Sequence, residues 1–118
     1  SQAVIVTDFP WSEAKFYHIQ KEDNPEIAQR ADLLFRGVEI ATVPMRQTNY
    51  DKLIQQIKDQ GYDPSNPGLT DYLDSFKYGM PSEGGFGFGI ERLVQKLIGL
   101  QNIKEATLFP RDRNRLTP

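Results

Sequence analysis

The chain has 118 residues, 38% hydrophobic and 25% charged, which suits one domain around one hydrophobic core. A net charge of −2 excludes a broadly basic nucleic-acid surface, so any RNA contact is local or made by parts outside this sequence. The absence of cysteine excludes disulfides and thiolate metal sites and fits an intracellular, cytoplasmic protein. No apolar run reaches membrane-spanning length, and no signal peptide is visible.

Ser1-Gln2 opens without Met and leads at once into Ala3-Val4-Ile5-Val6-Thr7. This predicts a buried strand over Ala3–Phe9, ended by Pro10, and a start that was processed or cut from a longer chain. Alternation over Lys15–Gln20 predicts a second, short strand, followed by a polar loop from Lys21 to Pro25. Ala31–Val43, rich in Leu, Phe, Val and Ile, predicts one strand with Gly37 inside it. Tyr50, Leu53, Ile54 and Ile57 fall at helical spacing, so Gln47–Gln60 predicts a helix stopped by Gly61. Asp63–Gly68 is turn-rich, Thr70–Tyr78 predicts a second helix, and Gly79-Met80-Pro81 breaks it. A glycine-rich strand follows, then a helix over Ile90–Leu100 with apolar Ile90, Leu93, Val94, Leu97 and Ile98. Thr107–Pro110 reads as extended, and Arg111 to Pro118 as a basic tail. Helices inserted among turn-connected strands point to an α+β fold with a mainly antiparallel sheet flanked by helices.

Gly84–Arg92, G-G-F-G-F-G-I-E-R, carries the most chemistry. Its glycines remove β-carbons that would hold a flat ligand off the backbone. Phe86 and Phe88 alternate with them, and Arg92 falls in the first helical turn, where a planar cation can meet a phosphate or stack on a base. Such runs also occur at bulges and packing points, and this one has neither dinucleotide-fingerprint nor P-loop spacing.

Asp32, Glu39 and Thr42 are oxygen donors in an apolar segment, suited either to Mg²⁺ or to ordinary solvent and ion-pair contacts. On one unbroken strand, residues 32 and 39 point to opposite faces unless a bulge near Gly37 intervenes. Arg46 is a candidate grip for a carboxylate and equally a surface cation, and Lys15 has the same two readings. His18 reads as structural, Trp11 as a packing anchor and Arg111–Arg115 as a solvated charge run.

Four segments then stand in one order: F-R-G-V-E-I-A-T (Phe35–Thr42), F-K-Y-G-M-P (Phe76–Pro81), the glycine run to Arg92, and L-F-P-R-D-R-N-R-L-T-P (Leu108–Pro118). With T-D-F-P (Thr7–Pro10) and K-F-Y (Lys15–Tyr17), this order resembles the C-terminal part of the class II aspartyl- and asparaginyl-tRNA synthetase catalytic domain. The archaeal aspartyl type is the most similar, and the resemblance covers essentially residues 1–118. It implies that Arg92, in the third signature motif, is catalytic, contacting the γ-phosphate and covering the adenine of a bent ATP. By the same resemblance Gly85, Gly87 and Gly89, with Glu39, line the ATP site. Asp32, Glu39 and Thr42 would hold Mg²⁺, and Arg46 would recognise the amino-acid side chain.

The implied reaction joins aspartate or asparagine to ATP as an aminoacyl-adenylate, then transfers it to tRNA. The resemblance also implies a homodimeric parent. Two departures stand out: Val43-Pro44-Met45 replaces a small glycine-containing stretch before Arg46, and Pro81-Ser82-Glu83 replaces a proline-histidine pattern. The first and second motifs and the anticodon domain are missing, so the isolated chain is expected to be inactive and to reach tRNA only through other parts. Two alternatives remain: a tRNA-independent paralogue resembling ammonia-dependent asparagine synthetases, and a non-catalytic module binding a nucleotide or protein through its sheet edge.

Overall fold

A computed structural model describes residues 2–117; Ser1, the abrupt opening, and Pro118, the end of the tail, lie outside the described residues. The elements run β1 (Ala3–Pro10), a 3₁₀ turn (Trp11–Glu13), β2 (Ile27–Phe35), β3 (Val38–Arg46), α1 (Tyr50–Asp59) and α2 (Pro67–Phe76). Then follow β4 (Glu83–Gly84), β5 (Gly87–Phe88), α3 (Ile90–Ile98) and a second 3₁₀ turn (Ile103–Ala106). The sheet order is β1-β2-β3-β4, with β5 also on β3. Both β4 and β5 pair antiparallel to β3, Arg46 opposite Glu83 and Thr42 opposite Gly87. The expected α+β class with an antiparallel sheet and helices is what forms.

The chain divides into two compact units. One comprises residues 7–31 and 43–85 and contains a closed apolar core. Leu53 and Ile57 of α1 and Leu73 and Phe76 of α2 are its buried centre, with Phe16, Tyr50 and Met80 packed against them. Full burial of an aliphatic side chain of this size contributes about 1.5–3 kcal/mol, and Leu53 and Ile57 are both at 0% exposure. Helix α1 starts at Asn49, whose side chain accepts from the Lys52 N–H, and stops before Gly61 at φ +78°. Helix α2 starts three residues earlier than its periodicity predicts, because Asn66 caps it and Pro67 occupies its first turn.

The other unit comprises residues 1–6, 32–42 and 86–118. Here α3 leaves Ile90, Leu97 and Ile98 exposed, and β1 leaves Val4 and Ile5 exposed. The expectation that the opening strand is buried is therefore wrong: its position is right, but its apolar side chains face outward, Ile5 at 68%.

Three further expectations are corrected. Ala31–Val43 is not one strand but the ends of two, turned at Arg36 (φ +45°) and Gly37 (φ +79°). Two consecutive positive φ values are the signature of a two-residue hairpin turn whose twist matches the flanking strands. Arginine tolerates such a φ poorly, and here the Arg36 guanidinium is anchored. It donates to Gln2 Oε1 at 2.9 and 3.1 Å and to the α3 carbonyl of Lys96 at 2.7 Å. Lys15–Gln20 is not a strand: it makes isolated bridges only, His18 to Arg46 and Gln20 to Ala28. Two of its carbonyls, those of Phe16 and His18, accept from Gln56 Nε2 of α1 at 2.5 and 2.9 Å, while those of Tyr17 and Ile19 accept from the Gln47 and Gln29 N–H groups. Thr107–Pro110 forms bends rather than an extended strand.

Candidate functional site

In the unit containing α3, the hairpin and the glycine run position a cluster of charged and hydroxyl groups. Gly89 precedes α3 and its N–H donates to the Ile40 carbonyl at 2.7 Å, fixing the first helical turn beside β3. Arg92 in that turn donates through Nη1 to the Glu39 carbonyl at 2.8 Å and lies 3.5 Å from Glu39 Oε1. Thr42 Oγ1 donates to the same Oε1 at 3.0 Å. The Arg92 and Glu39 side chains remain 48% and 43% exposed, so the pair is open to a ligand. Asp32 is buried on β2, at 4%. The two-residue turn removes the parity problem. Across such a turn, residues 32 and 39 belong to paired strands and share a sheet face without any bulge.

The glycines differ in what surrounds them. A β-carbon on Gly87 would meet nothing within 4 Å, so the sheet is bare there. One on Gly89 would lie 3.2 Å from Arg92 Cδ: this glycine makes room for the arginine stem. Phe86 and Phe88 are 71% and 37% exposed.

Glu39 and Thr42 supply a carboxylate and a hydroxyl in contact, a hard-oxygen pair that suits Mg²⁺, which takes few protein ligands and fills its shell with water and phosphate. Among the described residues, no three His, Cys, Asp or Glu side chains group closely enough to hold a metal ion by themselves.

In the other unit, Arg46 ends β3. Its neighbours fix its backbone: the Gln47 N–H donates to the Tyr17 carbonyl at 2.7 Å, and the Ile19 N–H to that of Met45 at 3.3 Å. Its guanidinium pairs with Glu83, directly opposite on β4, Nη1 to Oε1 at 3.4 Å. It also lies on Gly85, where a β-carbon would approach Nη2 to 2.7 Å. Gly85 is thus the seat of Arg46, and Gly84 likewise accommodates Met45 Sδ, 2.8 Å from where a β-carbon would stand. Burial pushes the Tyr72 phenol up, with Arg46 pulling it down and Glu83 pushing it further up, so the phenol is within reach of both charges. Arg46 and Ser82 border a cleft of about 590 Å³ lined with amides from Gln20, Gln29, Gln47 and Gln56.

The remaining candidates have structural settings. His18 is 1% exposed and its Nδ1 accepts from the Lys15 N–H at 3.3 Å. The Lys15 side chain is exposed. Arg111–Arg115 folds into a turn about Asp112, whose carboxylate accepts from the Asn114 and Arg115 N–H groups and pairs with Lys104. These contacts hold the Asp112 carboxyl below its usual range, Lys104 contributing most.

Over residues 1–113 the sequence matches the family described as tRNA synthetases class II (D, K and N). The chain belongs to this family. Among curated relatives of this synthetase chain, an aspartate–tRNA(Asp) ligase of Thermococcus kodakarensis is 51% identical over 91% of the chain. An aspartate–tRNA(Asp/Asn) ligase of Thermus thermophilus is 47% identical over 100% of it. Among solved structures, a putative aspartyl-tRNA synthetase of Leishmania major superposes over 100% of the chain with a TM-score of 0.92 at 36% identity. The asparaginyl-tRNA synthetase of Pyrococcus horikoshii complexed with asparaginyl-adenylate superposes over 98%, with a TM-score of 0.88 at 35% identity. The chain spans only about a quarter of these proteins, 24% and 27% of the two ligases and 23% and 27% of the two structures.

Sequence reasoning missed Glu83 as the partner of Arg46 and Gln56 as the amide that ties α1 to residues 16–18. Neither leaves a local signal, since the partners are 37 and 38–40 residues apart.

Proposed function

We propose that the protein carrying this chain activates aspartate or asparagine with ATP and transfers the aminoacyl group to tRNA. The supporting observation is the contact set Arg92–Glu39–Thr42 beside the bare backbone at Gly87. In this reading Arg92 meets the γ-phosphate and adenine of ATP, and Gly87 admits the nucleotide to the sheet. Gly89 serves that site by making room for the Arg92 stem, and Gly85 seats Arg46. Glu39 and Thr42, with Asp32, would hold Mg²⁺, which when bound would offset phosphate charge. Arg46 meets the amino-acid side chain. The amino acid's α-carboxylate attacks the α-phosphorus of ATP, giving the aminoacyl-adenylate as the bond to pyrophosphate breaks. Positioning and charge stabilisation carry such a step without a general base. The tRNA and a second subunit would be met through regions beyond this sequence, and the protein would work in the cytoplasm. No described helix is long and apolar enough to cross a membrane.

Alone, the chain lacks the opposite side of the nucleotide pocket and is expected to give no ATP–pyrophosphate exchange above background with either amino acid. Clear exchange by the purified chain would contradict that part of the reading. Loss of ATP binding in Arg92→Ala tests the nucleotide site itself.

A further inference from the structure

We infer that Arg36 is a positioning residue for Arg92. From the tip of the β2–β3 hairpin it holds the far end of α3, and so keeps the arginine at the near end over Glu39. This rests on the proposed reading of Arg92 as the nucleotide contact and adds a residue that acts on it from outside the site. Arg36 stands where glycine is the easier choice, at φ +45° beside Gly37 at +79°. Positive φ at a non-glycine residue persists only where surrounding contacts over-determine it. Here those contacts use both edges of the guanidinium. Nε and Nη2 donate to Gln2 Oε1 at 3.1 and 2.9 Å, and Nη1 donates to the Lys96 and Leu97 carbonyls at 2.7 and 3.4 Å. The Phe35 ring centroid lies 5.2 Å from its Cζ.

A helix leaves its last four carbonyls without intrahelical partners. At the end of α3 the Gly99 and Leu100 N–H groups take the Gln95 carbonyl at 2.9 and 3.0 Å. Arg36 takes the next two, and its cation complements the negative end of the helix dipole. The helix has little else to fix it. It is nine residues long and buries none of its side chains fully, and short helices are marginal by themselves. Its start is tied to β3 by the Gly89 N–H on the Ile40 carbonyl and by Arg92 on the Glu39 carbonyl. Its end is tied to the hairpin tip by Arg36. Lys96 sits one helical turn beyond Arg92, so fraying from the end reaches the turn that carries Arg92. Clamping both ends of α3 to one hairpin preorganises the Arg92–Glu39–Thr42 set before a ligand arrives.

The test is Arg36→Gly, which removes the guanidinium yet gives the turn a residue suited to positive φ, so the hairpin is kept. In the ligand-free chain it is expected to speed amide exchange in α3 by about threefold or more, to leave exchange in α1 unchanged and to move the Arg92 Nε–H resonance. Affinity for Mg²⁺-ATP is expected to fall by about threefold or more, and to fall no further when Arg36→Gly is added to Arg92→Ala. Glycine would rescue a role confined to the turn, and a direct contact of Arg36 with phosphate would make the two losses add. The inference is overturned if Arg36→Gly leaves α3 exchange and the Arg92 resonance as in wild type, or if the losses in ATP affinity add. Failure of the nucleotide reading is separable: it shows as no ATP shift at Arg92 in the wild type, while the ligand-free measurements still decide whether Arg36 holds Arg92 in place.

Discussion

The two units use the same three residue types for different ends. In one, Arg92 rests on Gly89 and faces Glu39; in the other, Arg46 rests on Gly85 and faces Glu83. Arg92 is additionally held by a backbone carbonyl, and its carboxylate partner takes a hydroxyl from Thr42, a grouping with spare oxygen donors for a cation. The partner of Arg46 is set instead by the opposing strand, and Arg46 itself borders an amide-lined cleft. A glycine beside an arginine is therefore not simply a gap for ligand. Of the three glycines expected to floor the nucleotide site, Gly85 makes space for the Arg46 guanidinium, Gly89 for the Arg92 stem, and Gly87 alone of the three is bare.

The units also differ in how they are stabilised, and that contrast can be broken by mutation. Leu53→Ala removes a fully buried side chain from the closed core of α1 and α2. It is expected to cost about 2–5 kcal/mol in chemical denaturation. Ile98→Ala, at a residue 67% exposed on α3, is expected to change stability by less than about 0.5 kcal/mol. Equal losses at the two positions would mean that the apolar face of α3 is covered in solution.

A smaller effect separates the glycines. Gly85→Ala is expected to displace the Arg46 guanidinium, the mobile end of a half-exposed side chain, at a cost below about 1 kcal/mol. Gly87→Ala, with open space around it, is expected to leave the fold unchanged while weakening ATP binding. Thermal melts of both variants, with ATP titration of the second, check this; a destabilised Gly87→Ala with normal ATP binding would break the distinction.

Much of this architecture is legible in the sequence because the signals are local. Helical spacing of Leu53 and Ile57, the stop at Gly61, and the run from Gly84 to Arg92 all sit where local physics places them, whereas the helix expected to Leu100 stops earlier, at Gly99 (φ +75°). The hairpin escaped because its turn is Arg36-Gly37, and arginine is not a residue that advertises positive φ. What holds Arg36 in that conformation is contact with Gln2 and Lys96, 34 and 60 positions away. The strand expected at Lys15–Gln20 failed for a related reason: alternation shows a face, not a partner, and the Phe16 and His18 carbonyls accept from the distant Gln56 side chain. The opening strand shows that an apolar run reveals what can be buried, not what is. For the candidate site, residue types were readable, but the pairing of Arg46 with Glu83 joins two strands that the sequence does not connect.

The central claim is that Arg92, in the first turn of α3 beside Glu39 and Thr42 of β3, is the nucleotide contact. Titration of the chain with Mg²⁺-ATP, observed at the Arg92 Nε–H and the Gly87 amide, tests it most directly. The account predicts saturable shifts at both positions and a loss of about tenfold or more in affinity for Arg92→Ala, since one charged hydrogen bond contributes about 1.5–3 kcal/mol. Shifts confined to other parts of the chain, or ATP binding unchanged by Arg92→Ala, would contradict it.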